Sequence, residues 1–223
     1  MEDLPVEKII RSRRRTLSLE VTPAATLIVR APLRASDTYI EETIRLKISW
    51  ILRKFDEMKR RPLSPCHEYA EGELFLYLGR SYPLFIVEGE NTTIVRTDKL
   101  YVSRSLMPLI RDQLKCWYTD EARKELHSRC MWFALQMGLS PVLIRITDAR
   151  KRWGSCTHTG GLNFSWRLIQ APPEIVDYVV VHELVHISQP DHSKKFWAKV
   201  RKIMPDYEWR RKWLHENERL LNI

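Results

Sequence analysis

The sequence predicts an α+β protein in two parts. Residues 1–105 read as a β-rich N-terminal unit with one helix. Residues 106–223 read as a second unit that packs a long helix, a small antiparallel sheet, a buried helix and further backing helices. Three observations carry that expectation. The first hundred residues alternate short β-branched and aromatic runs with Gly-, Asn- and Asp-containing turns, the pattern of small antiparallel sheets. Residues 107–138 keep one wide apolar face at helical spacing. Residues 173–186 are apolar almost all round until polar side chains crowd the end, as in a buried helix.

Taken in order, residues 16–22 alternate apolar and polar side chains and read as a half-buried strand. After a break at Pro23, residues 26–30 form its antiparallel partner. Arg11, Arg13, Arg14 and Arg15 flank the first strand and keep that edge soluble. Thr38 and Glu41 have capping-box spacing. Ile40, Ile44, Ile48, Ile51, Leu52 and Phe55 then continue as one amphipathic helix to about residue 60, ended by Pro62 and Pro65. Residues 74–78, 82–87, 92–96 and 100–102 are short strands. The long helix runs its stripe through Leu114, Tyr118, Leu126, Cys130 and Phe133, and Gly138 terminates it. Strands are expected at 142–147, 152–157 and 162–166, the last two joined as a hairpin through His158 and Gly161. Pro173 suits the first turn of the buried helix. Helices follow at 193–203, capped by Asp191 or Ser193, and at 207–221 beyond Pro205.

A chain of 223 residues with 44% hydrophobic content can build a full core unaided. Cys66, Cys116, Cys130 and Cys156 form no CxxC pair and no disulfide-rich spacing, which points to a reducing compartment. The sequence holds no long apolar segment and no signal-peptide pattern, so a cytoplasmic protein without a membrane span is expected. The sequon at Asn91 is then without consequence. A net charge of +9 raises the question of an anionic partner, with Lys194, Lys195, Lys199, Arg201 and Lys202 adding to the arginine run. The plain reading is a solvated basic face, and the sharper one is attraction to nucleic acid or to an acidic substrate.

The chemistry concentrates in His182-Glu-Leu-Val-His186, an H-E-x-x-H motif, with His192 six residues on. Residues four apart on a helix differ by about 40° in azimuth and about 6 Å in rise, so His182 and His186 project from one face and can hold one ion. Imidazole nitrogens bind Zn²⁺ at about 2.0–2.1 Å, and a catalytic zinc commonly takes three protein ligands. His192 is the natural third ligand, provided the chain turns back after Gln189 and Pro190. Glu183, beside the first ligand, is placed to act as general base on a water activated by the ion. The alternative is a helix whose histidines are surface or satisfied core residues. Metzincins share the ten-residue spacing from first to third histidine but carry a glycine where this chain has Gln189, which lacks the same backbone freedom. The Met204-Pro-Asp-Tyr207 stretch resembles a Met-turn by coincidence.

Lys151-Arg-Trp-Gly-Ser-Cys156, residues 162–168, Tyr178-Val-Val-Val-His-Glu-Leu-Val-His186 and His192-Ser-Lys-Lys-Phe-Trp197 together resemble the YgjP-like metallopeptidases, intracellular zinc hydrolases of the gluzincin-like class related to the SprT-like and WLM proteases. Weaker likeness extends to residues 13–19 and 78–83. The resemblance implies a zincin-like second unit, one zinc ion at His182, His186 and His192, Glu183 as catalytic base, and a polypeptide substrate. The developing oxyanion needs a donor besides the ion, and Tyr207 and Arg152 are both candidates. A different class remains open, a nucleic-acid adaptor with a structural zinc, as does hydrolysis of a non-peptide amide. A retained Glu183 speaks against the adaptor, since a structural site needs ligands and no base.

Overall fold

The computed structural model describes residues 5–62, 64–89 and 94–223. The chain forms two compact units, Met1–Pro62 and Leu63–Ile223. The expected boundary at 105/106 therefore falls inside the second unit.

In the first unit, strands β1 (Val6–Ser12), β2 (Ser18–Val21) and β3 (Leu27–Pro32) form a sheet in the order β1-β3-β2. The expected antiparallel pair is present as β2 with β3. β1 was not expected as a strand, because its residues are largely exposed and show no period-two alternation, and it joins β3 in parallel. The single helix expected over 38–60 is instead two, α1 (Asp37–Leu46) and α2 (Ile48–Arg60). Lys47 leaves helical geometry at φ −105°, ψ 9° and divides them. The cap is Ser36, whose Oγ accepts from the Tyr39 amide at 3.2 Å, rather than Thr38. Leu27, Val29, Ile40, Ile51 and Phe55 form this unit's core.

The second unit opens with β4 (Leu74–Tyr77), β5 (Arg80–Val87), β6 (Val95–Arg96) and β7 (Leu100–Ser103), ordered β4-β5-β7-β6. Leu78 and Gly79, at φ 45° and 74°, make the two-residue turn between β4 and β5, the conformation that suits a tight hairpin. The sequon at Asn91 and the start of the expected 92–96 strand lie outside the described residues. A 3₁₀ turn (Arg104–Leu109) leads into α3 (Ile110–Met137), which ends at Gly138 in the left-handed conformation. Two buried polar ties explain why no boundary falls at 105: the Tyr118 hydroxyl donates to the Leu76 carbonyl at 2.6 Å, and Tyr77 donates to Glu121 at 3.0 Å. Phe75, Leu84, Leu100 and Val102 share one core with Leu114, Tyr118 and Leu126.

β8 (Leu143–Thr147), β9 (Gly154–Cys156) and β10 (Gly161–Ser165) form a second sheet in this unit, ordered β8-β10-β9. β9 and β10 are the expected antiparallel hairpin, but β8 pairs with β10 in parallel, so the sheet is mixed rather than antiparallel. After a 3₁₀ turn (Trp166–Gln170) comes α4 (Pro173–Ser188), then α5 (Lys194–Ile203), α6 (Tyr207–Asn217) and a terminal 3₁₀ turn (Glu218–Leu220). α4 is buried on nearly every side, by Ile175, Val176, Val179, Val180, Val181, Leu184 and Val185. It lies on α3, with Arg129 paired to Asp177 at 2.6 Å, and it also packs against β9. Among the described residues, no helix is long and apolar enough to cross a membrane.

Candidate active site

The H-E-x-x-H segment occupies the last two turns of α4. Helical spacing puts His182 and His186 on one face, their rings 4.9 Å apart. At Gln189 the backbone turns extended (φ −148°, ψ 94°), a conformation open to any residue, so no glycine is required. The Gln189 amide side chain donates to Asp191 at 2.7 Å, and Asp191 accepts the Ser193 backbone amide, which starts α5 and returns His192 to the centre. One ligand atom from each of His182, His186 and His192 lies within 4.8 Å of the others.

Do these residues fit a cation? The Nε2 atoms of His182 and His192 stand 3.0 Å apart, close to the roughly 3.3 Å that two nitrogens sharing a tetrahedral zinc would show. Burial, reinforced by the neighbouring histidines, pushes His182 down to about 3, so its ring is neutral. His186 Nδ1 lies 3.1 Å from the Gln189 carbonyl, which can only accept. The proton is therefore on Nδ1, and Nε2 presents a lone pair. Three converging imidazole nitrogens, with Nε2 of His186 free to ligate, suit a divalent ion.

Glu183 is 5% exposed, and its Oε2 has no hydrogen-bond partner among the described residues. Desolvation raises its carboxyl to about 8, with Arg152 pulling the other way. The carboxyl is closely walled by Gly154 of β9: a Cβ there would stand 2.6 Å from both Glu183 Cγ and Oε1. An open cavity of about 520 Å³ runs along β9, lined by Gly154, Ser155, Cys156, His182, Glu183 and His186, among others.

A model of the YgjP-like metallopeptidase domain matches residues 15–217. The chain belongs to the YgjP-like metallopeptidase family. No curated protein matches it. One similar solved structure is the crystal structure of the metallopeptidase zymogen of Pyrococcus abyssi abylysin, 18% identical, with a TM-score of 0.39, covering 43% of this chain and 97% of that one. The family implies a metal and a polypeptide substrate.

Several residues of this YgjP-like metallopeptidase's site went unassigned in the sequence. Phe196 is fully buried, with its ring centroid 4.9, 4.5 and 4.8 Å from those of His182, His186 and His192, so one side chain floors all three. Trp197 stacks on His192 at 5.8 Å and on Tyr207 at 5.1 Å. Gly154 was visible only as a glycine inside a strand, a signal for close approach. Of the two oxyanion candidates, Tyr207 is buried, and its hydroxyl donates to Glu208 at 3.1 Å. Arg152 is exposed, and its charge reaches Glu183. Asn163 donates to the Ser155 hydroxyl at 3.3 Å across the hairpin. Burial raises the Cys156 thiol, the reverse of what a nucleophile needs.

Proposed function

We propose that this metallopeptidase is zinc-dependent, with His182, His186 and His192 holding one ion and Glu183 moving the proton in peptide-bond hydrolysis. What carries the reading is the pairing of three converging imidazoles with an adjacent buried carboxyl whose Oε2 has no hydrogen-bond partner among the described residues. When bound, the ion polarises the scissile carbonyl and lowers the pKa of water. Glu183 takes the proton from the attacking water and passes it to the leaving amine. A carboxyl poised near neutral pH suits both halves of that transfer. Gly154 closes against one side of that carboxyl, and α3's Cys130 is near enough to feel its charge.

β9 has β10 on one side and, among the described residues, no strand on the other, and it lines the cavity beside the histidines. An extended polypeptide can add to that edge through backbone hydrogen bonds, which hold it without demanding a sequence. Neither oxyanion candidate lines the cavity at the histidines: the Tyr207 hydroxyl is committed to Glu208, and Arg152 acts on the site through its charge on Glu183. The expectation of a nucleic-acid partner rests on charge alone.

The test is Glu183→Gln. The variant should bind zinc at one equivalent while losing peptidase activity by about 10²–10⁴-fold. Turnover at the parent rate with zinc in place would end the mechanism.

A further inference from the structure

Two more cavities adjoin the segment that precedes β9. One, of about 460 Å³, is lined by Arg150, Lys151, Arg152 and Trp153 on one side and by the terminal 3₁₀ turn on the other. The second, of about 680 Å³, takes Lys151 and Trp153 on one side and Arg211 and Lys212 of α6 on the other. Gly154, the next residue, already lines the cavity at the histidines, so residues 150–158 wall all three in succession.

The charge along this wall is lopsided. No lysine or arginine lines the cavity at the histidines. The cations gather beyond Trp153, and the carboxylates facing them are Glu208 and Glu218. Glu208 is taken up by Arg201 at 3.0 Å. Arg150, Lys151, Arg152 and Arg211 form no ion pair among the described residues. Glu218 also lines both cavities, yet lysines and arginines outnumber the carboxylates there, and an excess of one charge lining a cleft focuses its field into the cleft, where it acts on a ligand more strongly than on open surface.

Lys151 stands three positions before Gly154 on a segment bent at Arg150, Lys151 and Trp153, so a peptide lying on β9, at about 3.3 Å per residue, meets these cations within about four residues of the histidines. We propose that these cations make the enzyme select polypeptides bearing acidic side chains two to four residues from the scissile bond, on the side toward Lys151. The inference rests on the peptidase reading above. A nucleic acid would be attracted by the same charge, but the wall leads straight into a strand edge that pairs with peptide backbone and not with a sugar–phosphate chain.

The test uses zinc-loaded full-length protein and pairs of fluorogenic peptides that differ only by Glu against Gln at those positions. The Glu peptide should be cleaved with kcat/KM at least about fivefold higher at low salt, and the advantage should shrink as ionic strength rises. In Arg150→Gln/Lys151→Gln, both exposed positions, the Glu-to-Gln ratio should fall at least about threefold, with an unchanged thermal midpoint showing the fold intact. Equal cleavage of both peptides overturns the inference while leaving the peptidase reading standing, and so does a ratio that the double variant does not move. Fluorescence anisotropy of the same peptides on Glu183→Gln reads binding without turnover. If the Glu peptide binds better there but nothing is ever cleaved, the selectivity holds and the peptidase reading fails. A single-stranded oligonucleotide that binds more tightly than the Glu peptide, and loses affinity in the double variant, assigns the cavities to nucleic acid and overturns the proposal.

Discussion

Gly154→Ala tests whether the position of the Glu183 carboxyl, rather than its mere presence, sets the rate. The added Cβ would lie 2.6 Å from Glu183 Cγ, 2.6 Å from Oε1 and 2.8 Å from Cδ. Ordinary contact for a methyl begins near 3.4 Å, so about 0.8 Å of overlap has to be relieved. Glu183 is buried on a helix that is packed on nearly every side, so its backbone has little room to retreat. The carboxylate must swing instead. A displacement of about 1 Å at a reacting group costs about 10²-fold in rate, and forcing a methyl into a packed wall destabilises by about 1–3 kcal/mol. Glycine at 154 has an ordinary backbone conformation, so none of this arises from φ strain. The assay is kcat/KM on an unstructured peptide together with zinc content and the thermal midpoint. The expected outcome is a rate about 100-fold down with zinc retained at one equivalent. A variant as active as the parent, with zinc bound and the fold intact, would refute the claim that β9 positions the base.

Phe196→Ala removes the shared floor of the three imidazoles. Denaturant unfolding should show a loss of about 3–5 kcal/mol, and zinc affinity should fall with it, because His192 loses the surface that returns it to the centre. Full zinc affinity in a destabilised variant would show that the rings hold themselves. Asp148→Asn probes a pH-dependent tie. Lys115 at 2.7 Å, with Arg167 and the Trp166 indole, holds the Asp148 carboxyl well below the usual carboxylate range. The folded state thus binds fewer protons than the unfolded one. The stability gained is present above about pH 4 and fades as pH falls through the folded value. With this side chain 45% exposed, solvent screening limits the gap between parent and variant to about 1 kcal/mol at pH 7. That gap should narrow below about pH 4, and urea midpoints that keep it constant down to pH 2.5 would contradict the assignment. Gly79→Ala combines φ 74° with a Cβ 2.9 Å from the Pro172 backbone, so it should destabilise by about 1–3 kcal/mol, read by the same unfolding curves.

Much of the candidate site was legible because it follows from local spacing. Four residues along a helix suffice to put His182 and His186 together, and an apolar run marks α4 as buried, with Glu183 carried inward among its valines. The antiparallel pairs β2–β3 and β9–β10 were legible too, since short turns join their strands. Less was legible wherever the decisive contact joins distant segments. The parallel pairing of β8 with β10 and of β1 with β3 leaves no trace in periodicity. The boundary at 62/63 followed from a core in which β4 and β7 share neighbours with α3, and a count of strands before a long helix cannot reveal that.

The sequence by itself pointed to a metallopeptidase: a helix bearing H-E-x-x-H has few other uses, and 3.6 residues per turn puts its two histidines on one face. Tertiary structure alone decided what surrounds that helix. Gly154 meets Glu183, Phe196 underlies three rings, and Lys151 shares a cavity with Arg211 and Lys212 of α6 because backbones far apart in the chain are packed side by side. Such contacts depend on where whole elements come to rest, and no local pattern encodes that.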